Sequence, residues 1–301
     1  MKPWPTLTIV TPTFNAGRYL AETIESVLNQ DVPGIEYIIV DGGSTDDTVD
    51  VIRKYEKHLA WWTSGPDGGQ ANAVNAAFAR AKGEFLAEHD ADDIFLPGAL
   101  HFVLDTIRDT PGARWVAGGV LGFGTADEPR HEWHMPVVPR TLLDLVSYRF
   151  QAATPGHFYS RDAVRAVGGY DPTYRYLFDF EFFARLLVNG ERCIPLHRPI
   201  AAYRFHPTSK TVAEIDHFAA EWDRIRDTYM PMLPFHQQLI ARHRIANIRA
   251  GAEYTRAARA LAEGNADEAR DRFGKAFTSY PPSLITRNGL GCARRLFFGG
   301  A

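Results

Sequence analysis

Five short apolar runs, separated by segments of helical period, constrain this chain more than any other feature. Leu7 to Thr11 (LTIVT), Tyr37 to Val40 (YIIV), Ala60 to Thr63 (AWWT), Glu84 to Ala87 and Trp115 to Val120 read as strands. Between them Tyr19, Leu20, Ile24, Val27 and Leu28 recur at helical spacing, as do Val51, Ile52 and Tyr55, and then Val74, Ala77, Phe78 and Ala81. Strand and helix in alternation, joined by short loops, predict an α/β fold with a mostly parallel sheet flanked by helices. Asn15 is the expected N-cap region of the first helix, and Ser44 with Asp47 is expected to form a capping box at the second.

In such sheets ligands bind outside the carboxyl ends of the strands. The polar clusters fall there: TPTFN after the first strand, DGGSTDD after the second and DADD after the fourth. Three strand ends thus direct polar groups to one rim.

From about Leu121 the alternation fades into a stretch rich in Pro, His and Trp that runs to Phe150. A helix near Asp162 to Val167, a turn at GGYDP and a helix near Phe180 to Val188 follow. After Thr211 the pattern is all helical, with Phe218, Trp222, Ile225 and Tyr229 on one face. Residues 257–280 read as one helical hairpin turning at Gly264 and Asn265, like a single tetratricopeptide-type unit. A lone unit cannot build a solenoid, so packing against the rest of the chain is its plainer role. The expected division is 1–211, with halves of about 1–120 and 121–211, followed by a helical C-terminal region over 212–301. The last stretch, Leu284 to Phe298, mixes Arg287, Arg294 and Arg295 with Leu and Phe. That suits peripheral contact with an anionic membrane, although an ordinary terminal helix is the favoured reading.

The 301 residues are 45% hydrophobic and 23% charged, the balance of a globular protein. A formal net charge of −3 provides no strong field for nucleic acid. Cys193 and Cys292 lie far apart and make no metal-ligand spacing, which suits a reducing compartment. No run approaches the roughly 20 apolar residues of a membrane span, and the first residues do not form a signal peptide. The expected location is cytoplasmic.

Several constellations carry chemistry. Asp90, Asp92 and Asp93 place three carboxylates within four residues, and their mutual repulsion is relieved by a hard divalent cation such as Mg²⁺ or Mn²⁺. A solvated acidic loop explains the short spacing equally well, but the cluster ends a buried strand. Asp41, followed by Gly42 and Gly43, can accept a hydrogen bond from a base or a ribose hydroxyl; a plain capped turn is the alternative. Asp67-Gly-Gly-Gln70 precedes a helix and can line a nucleotide pocket or simply connect two elements. Asp179 and Glu181 follow an aromatic run, so one of them is a candidate general base raised by desolvation. Tyr203-Arg204-Phe205-His206, with Ser209 and Lys210, suits a leaving diphosphate, and His206 is also a candidate metal ligand.

Taken together, the segments TIVTPTFNAGRYLAETIESVLNQ, EYIIVDGGSTDDT, DGGQANAVNAAFARAKGEFL, DADDIFLPGAL, GGYD, FDFEFFARL and YRFHPTSKT resemble glycosyltransferase family 2, a group with the GT-A (nucleotide-diphospho-sugar transferase) fold. The resemblance implies a nucleoside-diphosphate sugar donor, a divalent cation, a carbohydrate or lipid-linked glycan acceptor, and inversion at the anomeric carbon. By position it implies that Thr11, Pro12, Asp41 and Asp67 line the nucleoside and that Asp90 faces the ribose or donor sugar. It implies that Asp92 and His206 hold the metal, that Arg204, His206 and Lys210 meet the diphosphate, and that Asp179 is the catalytic base. Many relatives read Asn-Ser-Asp-Asp where this chain has DADD, and Glu is frequent where Phe178 stands. The absence of a QxxRW motif and of a membrane span argues against a processive synthase. Two rivals remain: a sugar-nucleotide pyrophosphorylase, which needs a Gly-rich basic loop that TPTFNAG does not supply, and a non-catalytic scaffold of the same fold. The residues name neither the sugar and base nor the oligomeric state.

Overall fold

The structure is a computed structural model that describes residues 3–124, 134–135, 139–148, 154–206, 210 and 217–298. It divides into two compact units, one drawn from Met1–Leu145 and Arg149–Tyr229, the other from Val146–Tyr148 and Met230–Ala301. The expected boundary at 211–212 lies outside the described residues.

The first unit begins with the predicted alternation: β1 (Leu7–Thr13), α1 (Gly17–Leu28), β2 (Glu36–Asp41), α2 (Thr48–Tyr55), β3 (Trp61–Ser64), α3 (Gln70–Arg80) and β4 (Phe85–Glu88). It continues through β5 (Ile94–Phe95), α4 (Ala99–Asp109), β6 (Trp115–Phe123) and β7 (His134–Met135). After α5 (Leu142–Val146) come β8 (His157–Ser160), α6 (Arg161–Val167), α7 (Phe178–Val188), β9 (Cys193–Arg204) and α8 (Phe218–Tyr229). The strands form one sheet in the order β3-β2-β1-β4-β8-β6-β9-β5, with β7 on β6. The pairs β3–β2, β2–β1 and β1–β4 are parallel. Beyond β4 the sheet turns mixed, because β8 runs antiparallel to both β4 and β6.

Strand β1 is buried along its whole length, as expected of a central strand covered on both faces. Its threonines are tolerated because they find partners: Thr8 Oγ1 donates to Glu36 Oε2 at 2.6 Å, and Thr11 Oγ1 shares a hydrogen bond with Tyr37 Oη at 3.0 Å. Leu20, Ile24 and Val27 of α1 and Val51 and Ile52 of α2 join Ile9, Tyr37 and Ile39 in the core. Each such side chain contributes about 1.5–3 kcal/mol on burial. Gly83 enters β4 so close to β1 that a Cβ there would lie 2.5 Å from the Thr8 nitrogen.

Neither predicted cap forms as expected. The N-cap of α1 is Ala16, and its first N–H groups are met from the start of α2. Ala16 N donates to Thr48 Oγ1 at 2.9 Å and Gly17 N to Asp46 Oδ2 at 3.1 Å. Asn15 instead accepts from Thr45 N at 2.9 Å, and the Ser44 hydroxyl turns back to Asp41, so there is no capping box. The start of α1 is thus satisfied across space from the start of α2, which a local motif does not record.

The second unit holds α9 (Phe235–Ala262), α10 (Ala266–Ser279) and α11 (Arg287–Phe298). Helices α9 and α10 form the predicted hairpin, with Asn265 Oδ1 capping Glu268 N at 3.2 Å. Ala250, Tyr254, Ala257, Ala276 and Cys292 make its core. Among the described residues no helix is long and apolar enough to cross a membrane.

Candidate active site

The carboxyl ends of β1, β2 and β3 meet in register, with Thr13 beside Asp41 and Asp41 beside Ser64. Asp41 is fully buried and its carboxylate organises the turn that follows. Oδ2 accepts from Ser64 Oγ at 2.6 Å, Ser44 N at 3.0 Å and Gly43 N at 3.2 Å, while the Ser44 hydroxyl donates to Oδ1. Gly43 turns there with a φ of 87°, which a side chain would strain. Asp67 joins the same rim: its Oδ2 would lie 3.0 Å from a Cβ on Gly42, and its Oδ1 accepts from Gly69 N at 2.7 Å. Thr11 and Pro12 are buried within β1 just below.

The acidic run leaves β4 beside them. Thr23 of α1 holds its turn, donating to the carbonyls of Ala91 at 2.9 Å and Asp93 at 2.8 Å. Arg204, at the end of β9, closes it from the other side. Its backbone N donates to Asp93 Oδ1 at 2.8 Å and its Nε to the Asp92 carbonyl at 2.8 Å. The guanidinium also bonds Glu22 and lies 4.9 Å from the Tyr19 ring centre and 4.3 Å from that of Phe123. With this turn fixed, Asp92 Oδ2 and His206 Nε2 stand 2.8 Å apart. Asp93 is buried and its acid is pushed well up by burial and then by Asp92 and Asp90.

A second group lies around Asp90. Gln70, the first residue of α3, donates from Nε2 to Asp90 Oδ1 at 2.9 Å and to Glu88 Oε1 at 3.0 Å. Its Oε1 accepts from the Lys210 ammonium at 3.1 Å. Desolvation first, and the Glu88 and Asp92 carboxylates next, push the Asp90 acid well up. Glu88 is fully buried and its acid is raised to about 7, chiefly by burial. Asp179, in the first turn of α7, is only 8% exposed. It accepts from Phe180 N at 2.9 Å and, more distantly, from Thr154 Oγ1 at 3.4 Å. Burial raises its acid to about 7, partly offset by hydrogen bonds and by Lys210. Its neighbour Glu181 is occupied elsewhere, paired with Arg185 at 2.7 Å and accepting from Tyr229 Oη at 2.6 Å.

The model of the Glycosyl transferase family 2 family matches residues 8–166, more than half of the chain. The chain belongs to glycosyl transferase family 2. An uncharacterized glycosyltransferase of Mycobacterium tuberculosis is 30% identical over 196 residues, covering 63% of this chain and 73% of that protein. Among solved structures, S. aureus TarS 1-349 in complex with UDP superposes with a TM-score of 0.57 at 19% identity, covering 94% of this chain and 93% of that one. Mannosyltransferase PcManGT from Pyrobaculum calidifontis, in complex with GDP-Man and Mn²⁺, gives 0.56 at 18% identity over 100% of this chain and 92% of that one. This likeness is of fold, and the family 2 glycosyltransferase has the GT-A architecture.

In this glycosyltransferase the predicted residues gather in three groups. Thr11, Pro12, Asp41 and Asp67 share the rim of β1 to β3; Asp92, Arg204 and His206 form the second group; Asp90, Asp179 and Lys210 surround the third. Lys210 is bonded to Gln70 and to the Arg175 carbonyl at 3.3 Å. Ser209 lies outside the described residues. No group of three or more His, Cys, Asp or Glu side chains converges into a metal cage among the described residues. The Asp92–His206 pair supplies two donors of the right chemistry, an oxygen and an imidazole nitrogen. That fits a cation that completes its shell with phosphate oxygens. Sequence reasoning missed Gln70 as a contact to Asp90, and missed Glu22, Thr23 and Glu88 altogether. Glu88 carried a signal: a carboxylate ending the otherwise apolar run FLAE needs a partner or a proton.

Proposed function

We propose that this glycosyltransferase is a metal-dependent, inverting enzyme that moves a sugar from a nucleoside-diphosphate donor to a hydroxyl of a carbohydrate or lipid-linked glycan. The carrying observation is Asp179, a buried carboxylate at a helix start whose acid sits near neutral pH. It lies in the electrostatic field of Asp90's neighbours Glu88 and Lys210.

In this reading the acceptor hydroxyl gives its proton to Asp179 as its oxygen bonds to the anomeric carbon. The bond from that carbon to the diphosphate oxygen breaks on the opposite face, and the electron pair leaves with the nucleoside diphosphate. One attack from the far side inverts the configuration. Arg204 and Lys210 offer positive charge and donors to the leaving group, and His206 meets it beside them. A divalent cation, Mg²⁺ or Mn²⁺, held by Asp92 and His206, supplies further charge stabilisation when bound. Thr11, Pro12, Asp41 and Asp67 line the nucleoside, and Asp90 meets the ribose or donor sugar. Residues 1–120 then form the donor half, 121–211 the acceptor half, and the helical region an appendage. The setting is bacterial surface-glycan synthesis in the cytoplasm, with room for peripheral contact at the inner face of the membrane.

The test is turnover of a panel of UDP, GDP and dTDP sugars with Mn²⁺ or Mg²⁺ and a glycan acceptor, with the product anomer read by NMR. A product of inverted configuration is expected. Retention of configuration sinks the mechanism. Pyrophosphate release from a sugar phosphate and a nucleoside triphosphate points to a pyrophosphorylase instead. No binding of any donor by folded protein points to a scaffold.

A further inference from the structure

We propose that Gln70 and Glu88 are positioning residues of the transfer site: Glu88 fixes the Gln70 amide, and that amide aims the Asp90 carboxylate and holds the Lys210 ammonium. The inference rests on the transferase reading above and assigns two residues to it that touch no reacting atom.

The Gln70 amide has one orientation available. Its two N–H groups point at two carboxylate oxygens, Glu88 Oε1 at 3.0 Å and Asp90 Oδ1 at 2.9 Å. Its carbonyl faces an ammonium, Lys210 Nζ, at 3.1 Å. A carboxylate only accepts and an ammonium only donates. Turning the amide over would set its N–H groups against the Lys210 ammonium and give up both donations to the Glu88 and Asp90 oxygens, so the ammonium fixes the orientation whether or not those two acids keep their protons. The amide is therefore a fixed junction between anionic and cationic sides of the site.

The two ends of the junction differ in setting. Glu88 lies on β4, paired in register with Val10 of the central strand, and is fully buried. Asp90 lies in the turn beyond the strand, partly exposed. The strand-borne carboxylate thus holds the amide, and the amide holds the one in the turn. Gln70 itself is pinned at the first position of α3, after the turn in which Asp67 accepts from Gly69 N at 2.7 Å. On the other side, Lys210 rests on two neutral carbonyls, those of Gln70 and Arg175, and above the Phe178 ring at 5.8 Å. A phosphate oxygen is a stronger acceptor than either carbonyl, so the ammonium is held near the site and remains available.

The experiment compares wild type with Q70M, Q70E, E88L and E88Q in donor affinity, donor KM and kcat, with circular dichroism and thermal unfolding as controls. Q70M and E88L are expected to lower kcat/KM by about tenfold each, the worth of one buried hydrogen bond, largely through KM. Q70E sets three carboxylates together and is expected to lose on the order of 100-fold. E88Q keeps an oxygen in place to accept from Gln70 and is expected to restore most of what E88L loses. Wild-type kcat and KM in both Q70M and E88L would overturn the inference. Should E88L fail to fold, Q70M at its half-buried helix start carries the same test. A wild-type chain that binds and turns over no donor removes the transferase reading, and this inference with it.

Discussion

Oδ2 of Asp92 lies 2.8 Å from Nε2 of His206, although 114 residues separate them in the chain. The first leaves the end of β4 and the second follows β9. They meet because Arg204, two residues before His206, bonds the Asp92 carbonyl at 2.8 Å and the Asp93 carboxylate at 2.8 Å. The turn and the strand end are thereby held together before any ligand arrives.

Removing either partner is expected to abolish metal-dependent donor binding. A ligand at 100 times its dissociation constant stabilises a folded protein by about 2.7 kcal/mol. In wild type, a donor nucleotide with Mn²⁺ at that excess is expected to stabilise the fold by about that amount, read as a higher unfolding temperature. Asp92→Ala and His206→Ala are expected to lose the Mn²⁺-dependent part while unfolding normally without ligand. A thermal-shift series with and without chelator checks it.

Asp179→Asn keeps the shape of the side chain and removes its basicity. We expect kcat to fall by roughly 10²–10⁴-fold with donor affinity retained. In wild type the acid limb of kcat/KM is expected to rise through about pH 7, since burial raises the Asp179 acid to about 7. Steady-state rates across pH 5–9 measure both. Unchanged turnover in the variant removes Asp179 from the role of base.

Arg204→Lys tests whether the guanidinium braces the acidic turn. Lysine retains the charge but cannot bond the Asp92 carbonyl and Glu22 together while lying between the Tyr19 and Phe123 rings. A loss of about 2 kcal/mol is expected. That corresponds to roughly 2–4 °C in Tm for each kcal/mol in a unit of this size, read by calorimetry.

Glu88 also predicts a pH dependence of stability. Its folded-state acid is raised from 4.5 to about 7 by burial, so the native chain keeps this proton where the unfolded chain has released it. The stability it contributes is full below about pH 4.5 and is lost as pH rises through about 7. Glu88→Gln removes that titration. The difference in Tm between E88Q and wild type is therefore expected to grow in favour of the variant from pH 5 to pH 8. A difference independent of pH would show that Glu88 is ionised throughout.

Much of the fold was legible in local pattern. The runs LTIVT and YIIV and the helical spacing of Leu20, Ile24 and Val27 report burial directly, and β1, β2 and α1 follow them. The i, i+2 offset of Asp179 and Glu181 implied that one would face the site, and Glu181 is taken up by Arg185 and Tyr229. The cap of α1 was not legible, because the groups that meet the N–H bonds at its start come from Asp46 and Thr48 at the start of α2, while α2 uses Asp46 rather than Ser44 for its own Thr48 N–H. Glu22 and Thr23 looked like ordinary helix residues, yet one bonds Arg204 and the other holds the acidic turn.

By itself the sequence determined the parallel α/β half, the helical C-terminal hairpin and the strand ends at which polar groups collect. Hydrophobic period and turn residues act over a few positions, and those features need nothing more. Only the tertiary structure decided that β8 inserts between β4 and β6 and that β9 lies beside β6. It alone brought Gln70 to Glu88, and it set Asp92 and His206, which the resemblance had already paired, 2.8 Å apart. Such pairings depend on strand order and register, which are set by the packing of the whole sheet.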